Sequence, residues 1–129
     1  MSRAVDTNVV IRYLTLDDPV QSPIAAEVLR AGFVLSATVL IETEWVLRSV
    51  YRWPRNRIAE ALADLIDLPS ADIVPEGADW ALARFAAGAD LADMVHILTG
   101  IGAMTFVTFD SGVAENAGMN PPLPVETLP

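Results

Sequence analysis

Cysteine and lysine are both missing from the chain. Without cysteine there are no disulfides, no thiolate metal sites and no cysteine nucleophile. Without lysine there is no P-loop, no Schiff base and no Ser-Lys mechanism, because each needs a lysine amine. A phospho-receiver, which sets a lysine beside its acid pocket, is disfavoured for the same reason. All eight cations are arginines. Histidine occurs once, at His96, so acid–base catalysis centred on histidine is disfavoured and a structural role is expected for it. The residues up to Asp6 hold no apolar stretch that could serve as a signal peptide. No window reaches the roughly 18 uninterrupted apolar residues of a membrane span. The expectation is a soluble, unexported, cytoplasmic protein.

What is present is an acidic and core-rich chain. Of its 129 residues, 53% are apolar, enough for one packed core, and a single domain over 1–129 is expected. The net charge of −9 counts against a simple nucleic-acid-binding module, which carries a basic surface. Either the acids gather where a divalent ion reverses the local charge, or a basic partner covers an acidic face.

Short apolar runs alternate with helical patterns, the signature of an α/β fold with a mainly parallel sheet. Strands are predicted at about Arg3 to Val5, Phe33 to Leu35, Ile73 to Val74, Met104 to Phe109 and, as an edge, Pro124 to Thr127. The run from Met104 to Phe109 is continuously apolar, which predicts burial on both faces. Helices are predicted from Asn8 to Leu14, from a Ser22-Pro23 start to Gly32, from a Ser36 cap to Tyr51, and from Arg55 to Leu68. Two more follow, from Gly77 to Ala87 and from Asp90 to about Ile101. Apolar faces are expected on the Arg55 helix (Ile58, Leu62, Leu65, Ile66) and on the Asp90 helix (Leu91, Val95, Leu98).

The acids are where chemistry is expected. In an open parallel sheet, ligands bind at the carboxyl ends of the strands. Asp6 follows the first strand directly and Asp110 follows the strand ending at Phe109, so both should emerge on one edge of the sheet. Each is equally well read as a helix N-cap. Glu42 lies mid-helix with Val39, Trp45 and Val46 at helical spacing, which predicts an acid inside an apolar stripe. Such a carboxylate should be paired with an arginine or coordinate a metal. Glu44 is expected to be solvated. Asp90 and Asp93 share the first turn of a helix; Asp90 reads as the N-cap and Asp93 is harder to explain that way. Carboxylates brought that close repel one another unless a cation holds them. Oxygen-only ligation selects a hard ion, Mg²⁺ or Mn²⁺, and such a site suits phosphodiester hydrolysis by activated water.

Four segments carry these acids in order: Asp6-Thr7-Asn8, Glu42-Thr43-Glu44-Trp45-Val46-Leu47-Arg48, Gly88-Ala89-Asp90-Leu91-Ala92-Asp93 and Val107-Thr108-Phe109-Asp110. Together they resemble the ordered motifs of PIN-domain ribonucleases, and most nearly those of the VapC-type toxins of bacterial toxin–antitoxin pairs. The resemblance implies a three-layer α/β/α sandwich with a mostly parallel central sheet of about five short strands. It implies one or two Mg²⁺ or Mn²⁺ ions and endonucleolytic cleavage of RNA. Asp6, Glu42, Asp93 and Asp110 carry over as metal ligands, with Asp90 the frequent catalytic companion of Asp93. Thr7, Asn8 and Thr108 carry over as polar support that orients ligands or water. It further implies a homodimer, inhibited by a small VapB-like antitoxin that docks on apolar grooves and places a basic or amphipathic C-terminal segment at the acidic site. Ser111, Gly112 and Val113 depart from the family pattern, which commonly has a basic residue and an aromatic after the fourth acid.

Arg48, Arg52, Arg55 and Arg57 surround the Trp53-Pro54 turn. They can be read as a phosphate-contacting rim or as a solvated helix end; the second is favoured. Trp45, Trp53 and Trp80 are expected to be packing residues. Two other functions remain open: a phosphatase or DNA nuclease using the same acids, and a non-catalytic acidic pocket that holds a basic peptide.

Overall fold

The computed structural model describes residues 2–129. Its contacts group the chain into two compact units, 1–74 and 75–129.

The first unit alternates strands and helices: β1 (Arg3–Ala4), α1 (Thr7–Thr15), α2 (Gln21–Arg30), β2 (Phe33–Ser36), α3 (Ala37–Ser49), α4 (Arg55–Ile66) and β3 (Ala71–Val74). The strands form a parallel sheet in the order β1-β2-β3. Ala4 stands opposite Val34, and Val34 opposite Asp72. Parallel neighbours need crossovers, and here helices supply them. Helices α2 and α3 pack on β2, α4 packs on β3, and α1 packs on α2 and α3. Ser36 caps α3 as expected, its hydroxyl accepting the Val39 N–H at 3.3 Å. On α4, Ile58, Leu62 and Leu65 recur every three to four residues and are fully buried, while Ile66 is half-buried.

The start of α2 differs from the expectation. Ser22 and Pro23 are its second and third residues rather than its cap and first residue. The Asp18 carboxylate, three residues before Gln21, takes the N–H groups of Val20 (2.9 Å) and Gln21 (2.8 Å). Ser22 is buried instead, and its hydroxyl donates to the Arg12 carbonyl at 2.7 Å, tying α2 to α1. Proline still fits, because the first-turn N–H groups have no helical acceptor.

The second unit comprises α5 (Ala78–Ala86), α6 (Leu91–Thr99), β4 (Phe106–Thr108), α7 (Ser111–Ala117) and β5 (Val125–Thr127). β4 and β5 form a two-stranded parallel sheet. Each of the five short strands thus pairs in parallel within its own sheet, one of three strands and one of two. Helix α6 packs on α5 and α7 through a face that includes Leu91, Met94, Val95 and Leu98. Gly77 opens α5 at φ 98°, and a Cβ there would lie 2.8 Å from a Leu98 methyl. A side chain at position 77 would thus be strained in its backbone and would collide with α6.

The strand ending before Asp110 is shorter and barer than its sequence suggests. Met104 is 90% exposed and Phe109 77%, with Val107 also open. β5 is its hydrogen-bonded neighbour, and the helix on this pair, α7, lies against β5. Continuous apolarity here does not mean cover on two faces. Among the described residues, no helix is long and apolar enough to cross a membrane.

Candidate active site

The two units carry the acids separately. In the first, Asp6 follows β1 and caps α1; its Oδ1 accepts the Thr7 N–H at 2.8 Å. Thr7 is 4% exposed, and its Oγ1 is buried without a hydrogen-bond partner. A buried hydroxyl with no acceptor or donor is costly, so this atom is poised to take a water or a ligand oxygen. Asn8 is exposed on the same first turn.

Glu42 and Glu44 exchange the environments expected of them. Helix α3 buries Ala37, Leu40, Thr43, Glu44 and Leu47, and leaves Glu42 exposed. Glu44, 5% exposed, is the acid inside the apolar stripe. Arg48 answers it one turn on, its Nε donating to Oε2 at 2.7 Å and Nη2 to Oε1 at 3.3 Å. The Glu-to-Arg spacing of four was the sequence signal for this pair. Glu42 is thereby free of a structural duty as a buried ion, and its carboxylate faces solvent.

In the second unit three aspartates come together electrostatically. Asp90 caps α6, its Oδ2 accepting the Asp93 N–H at 3.0 Å. Asp110 caps α7, its Oδ1 accepting the Gly112 N–H at 2.8 Å. The Thr108 hydroxyl accepts the Asp110 N–H at 3.0 Å, which fixes the backbone that carries this acid. Asp93 is half-buried. Burial is the main cause pushing its carboxyl above the usual range; the charge of Asp90 adds to this, the nearby His96 opposes it, and Asp110 adds again. His96 is exposed one turn beyond Asp93, so it is an electrostatic neighbour of the acid and not a packed core residue.

Each capping aspartate spends one oxygen on a helix start and keeps the other. The cap and ligand readings of these residues are therefore compatible. Among the described residues, no group of three or more histidine, aspartate or glutamate side chains is arranged to hold a metal ion. The chemistry of the donors nevertheless fits a hard cation: the aspartate set offers oxygen alone, and Asp93 carries repulsion that positive charge would relieve.

In each unit a strand is followed by an aspartate that caps the next helix: Asp6 after β1 and Asp110 after β4. The PIN domain family matches residues 3–119, and the chain belongs to that family. PIN domains are generally metal-dependent nucleases, hydrolases of phosphodiester bonds. No curated protein and no solved structure matches the chain.

The tryptophans divide. Trp53 and Trp80 are half-buried, and the Arg57 guanidinium lies 3.8 Å from the Trp53 ring centroid. Trp45, expected to pack, is 54% exposed. It lies off the buried stripe of α3, on the exposed side that also carries Glu42.

Proposed function

We propose that the chain is a Mg²⁺- or Mn²⁺-dependent endoribonuclease, the VapC-type toxin of a toxin–antitoxin pair, working in the cytoplasm. The observation that carries this reading is the Asp90–Asp93–Asp110 group, in which a half-buried Asp93 is opposed by two like charges. Asp93 and Asp110 would hold the ion, with Asp90 beside them; Asp6 and Glu42 are assigned to the same chemistry by motif order. When bound, the ion supplies positive charge to offset that developing on the phosphoryl oxygens. The chain's own groups do the positioning. The N–H groups of Asp93 and Gly112 fix the carboxylates of Asp90 and Asp110 before any substrate arrives. Thr108 steadies the Asp110 backbone.

An antitoxin partner is supported by charge and shape. A chain of net −9 suits a basic segment. Between α1 and α2 runs a groove of about 360 Å³, lined by Val9, Ile24, Ala25 and Val28 with Arg12 and Gln21 among its polar groups. An amphipathic helix would lay its apolar face there. A homodimer belongs to the same reading.

The test is cleavage of RNA, single-stranded DNA and a phosphomonoester by the purified protein, with Mn²⁺ or with EDTA. RNA cut only with metal, and not by Asp93→Asn, is the expected result. Cleavage of DNA or the phosphomonoester in preference to RNA, or unimpaired cleavage by Asp93→Asn, would sink it.

A further inference from the structure

The exposed face of α3 carries an aromatic ring beside its acid. Glu42 and Trp45 are three residues apart on the helix, so their Cβ atoms are neighbours, about 5–6 Å apart. Both are exposed. Trp45 is outside the stripe that packs α3, so core packing does not account for it.

The sequence after Trp45 is unlike the rest of the chain. From Val46 to Ala59 there is no acid, and Arg48, Arg52, Trp53, Arg55 and Arg57 fall within it. Half of the eight cations of a chain of net −9 are therefore in this stretch. Arg52 is exposed at φ 60°, and Arg57 covers the Trp53 ring. Arginines interleaved with aromatics mark a surface for single-stranded nucleic acid, where cations track the phosphates and rings receive bases.

We propose that Trp45 is a base-stacking residue that takes an unpaired base of a single-stranded RNA segment, next to the phosphodiester that Glu42 serves. This rests on the nuclease reading above. An open indole face stacks on any base, but only on one not already stacked in a duplex. The substrate class is thus an unpaired loop or end rather than a helix. The arginine run also decides between occupants. Glu44 holds Arg48, so the charge in excess along this stretch is that of Arg52, Arg55 and Arg57, and it favours a polyanion.

Binding of a labelled single-stranded RNA oligonucleotide in EDTA tests this without cleavage. Trp45→Ala should weaken binding roughly 5- to 150-fold, the range expected for one lost stack. Trp45→Phe should recover most of it. RNA should quench the parent's indole emission, and the quench should shrink in Trp45→Phe, where Trp53 and Trp80 remain. If Trp45→Ala lowers thermal stability, the Phe variant's affinity and quench decide. Equal affinity and equal quench in parent and variants would overturn the proposal, as would a parent that binds no single-stranded RNA. A Trp45→Ala variant with altered sedimentation but unchanged RNA affinity would assign the ring to a protein contact and overturn it too. The two readings fail separately. A parent that binds through Trp45 but cuts no RNA in Mn²⁺ loses the nuclease reading and keeps the stacking. A parent that cuts RNA while Trp45→Ala binds unchanged does the reverse.

Discussion

Arg48 holds the buried Glu44 carboxylate through two nitrogens, at 2.7 and 3.3 Å, one turn along α3. The pair ties down one acid of the helix and leaves its neighbour Glu42 at the surface. Replacing Arg48 with methionine would strand a buried charge. A loss of about 1–3 kcal/mol is expected, below the figure for a fully buried pair because the arginine is half-exposed. Urea denaturation measures it. Glu42→Gln is the contrast: an unchanged midpoint, with RNA cleavage abolished. A Glu42→Gln protein that cuts normally while Glu44→Gln is inactive would transfer the catalytic role to the buried acid.

Asp93 should behave oppositely toward folding and toward metal. Its carboxyl is pushed up by burial and by Asp90 and Asp110. A raised folded-state value means stability present below the unfolded value, near pH 3.9, and lost as pH rises through the folded one. At neutral pH the charged form is therefore a burden. Metal-free Asp93→Asn should melt at or above the parent's temperature, yet lose both the stabilisation by Mn²⁺ and cleavage. Thermal scans with and without Mn²⁺ check both halves; a metal-free variant that melts well below the parent would contradict the repulsion argument.

Asp17 gives a pH effect of the other sign. The Tyr51 hydroxyl, donating at 2.5 Å, is the main cause holding its carboxyl below the usual range, followed by Thr15, with Arg12 contributing less. Such a group lends stability above its unfolded value, and this is lost as pH falls through the folded one. Tyr51→Phe should move the Asp17 titration upward, toward about pH 3.9, in carboxyl NMR. The stability gap between parent and variant should close in the acid range below that value. An unmoved Asp17 titration would show that the hydroxyl is not the cause.

Gly77→Ala tests the junction of α5 and α6. The left-handed backbone disfavours any side chain, and the new methyl would meet Leu98 at 2.8 Å. A destabilisation of about 1–3 kcal/mol is expected. Gly88→Ala, with φ 118° but open space around it, should cost less, and comparing the two separates collision from backbone strain.

Much of this was legible in the sequence because it is local. Ser36 and Asp90 announce their helices through side chains that reach an amide three residues on. Each of the five strands lies within or close to its expected segment, and every strand pairing is parallel. The faces of α3 were not legible. Glu42 and Glu44 stand about 200° apart around a helix, and apolar residues flank both: Val39, Trp45 and Val46 on one side, Leu40 and Leu47 on the other. Only the elements packed against α3 decide which stripe is inside. The run from Met104 to Phe109 failed for a related reason, since apolarity alone does not say what covers a strand. Ser22-Pro23 has the composition of a helix start, but the Asp18 side chain captured the free amides first.

The aspartates that cap helices are already partly compensated by the backbone. The start of a helix bears about half a unit of positive charge, and Asp6, Asp90 and Asp110 each touch one such start. The backbone thus acts as a standing, partial counter-ion to each of them. It would let each unit carry these charges in the metal-free protein, and on the nuclease reading a bound cation would have only the repulsion on Asp93 left to relieve.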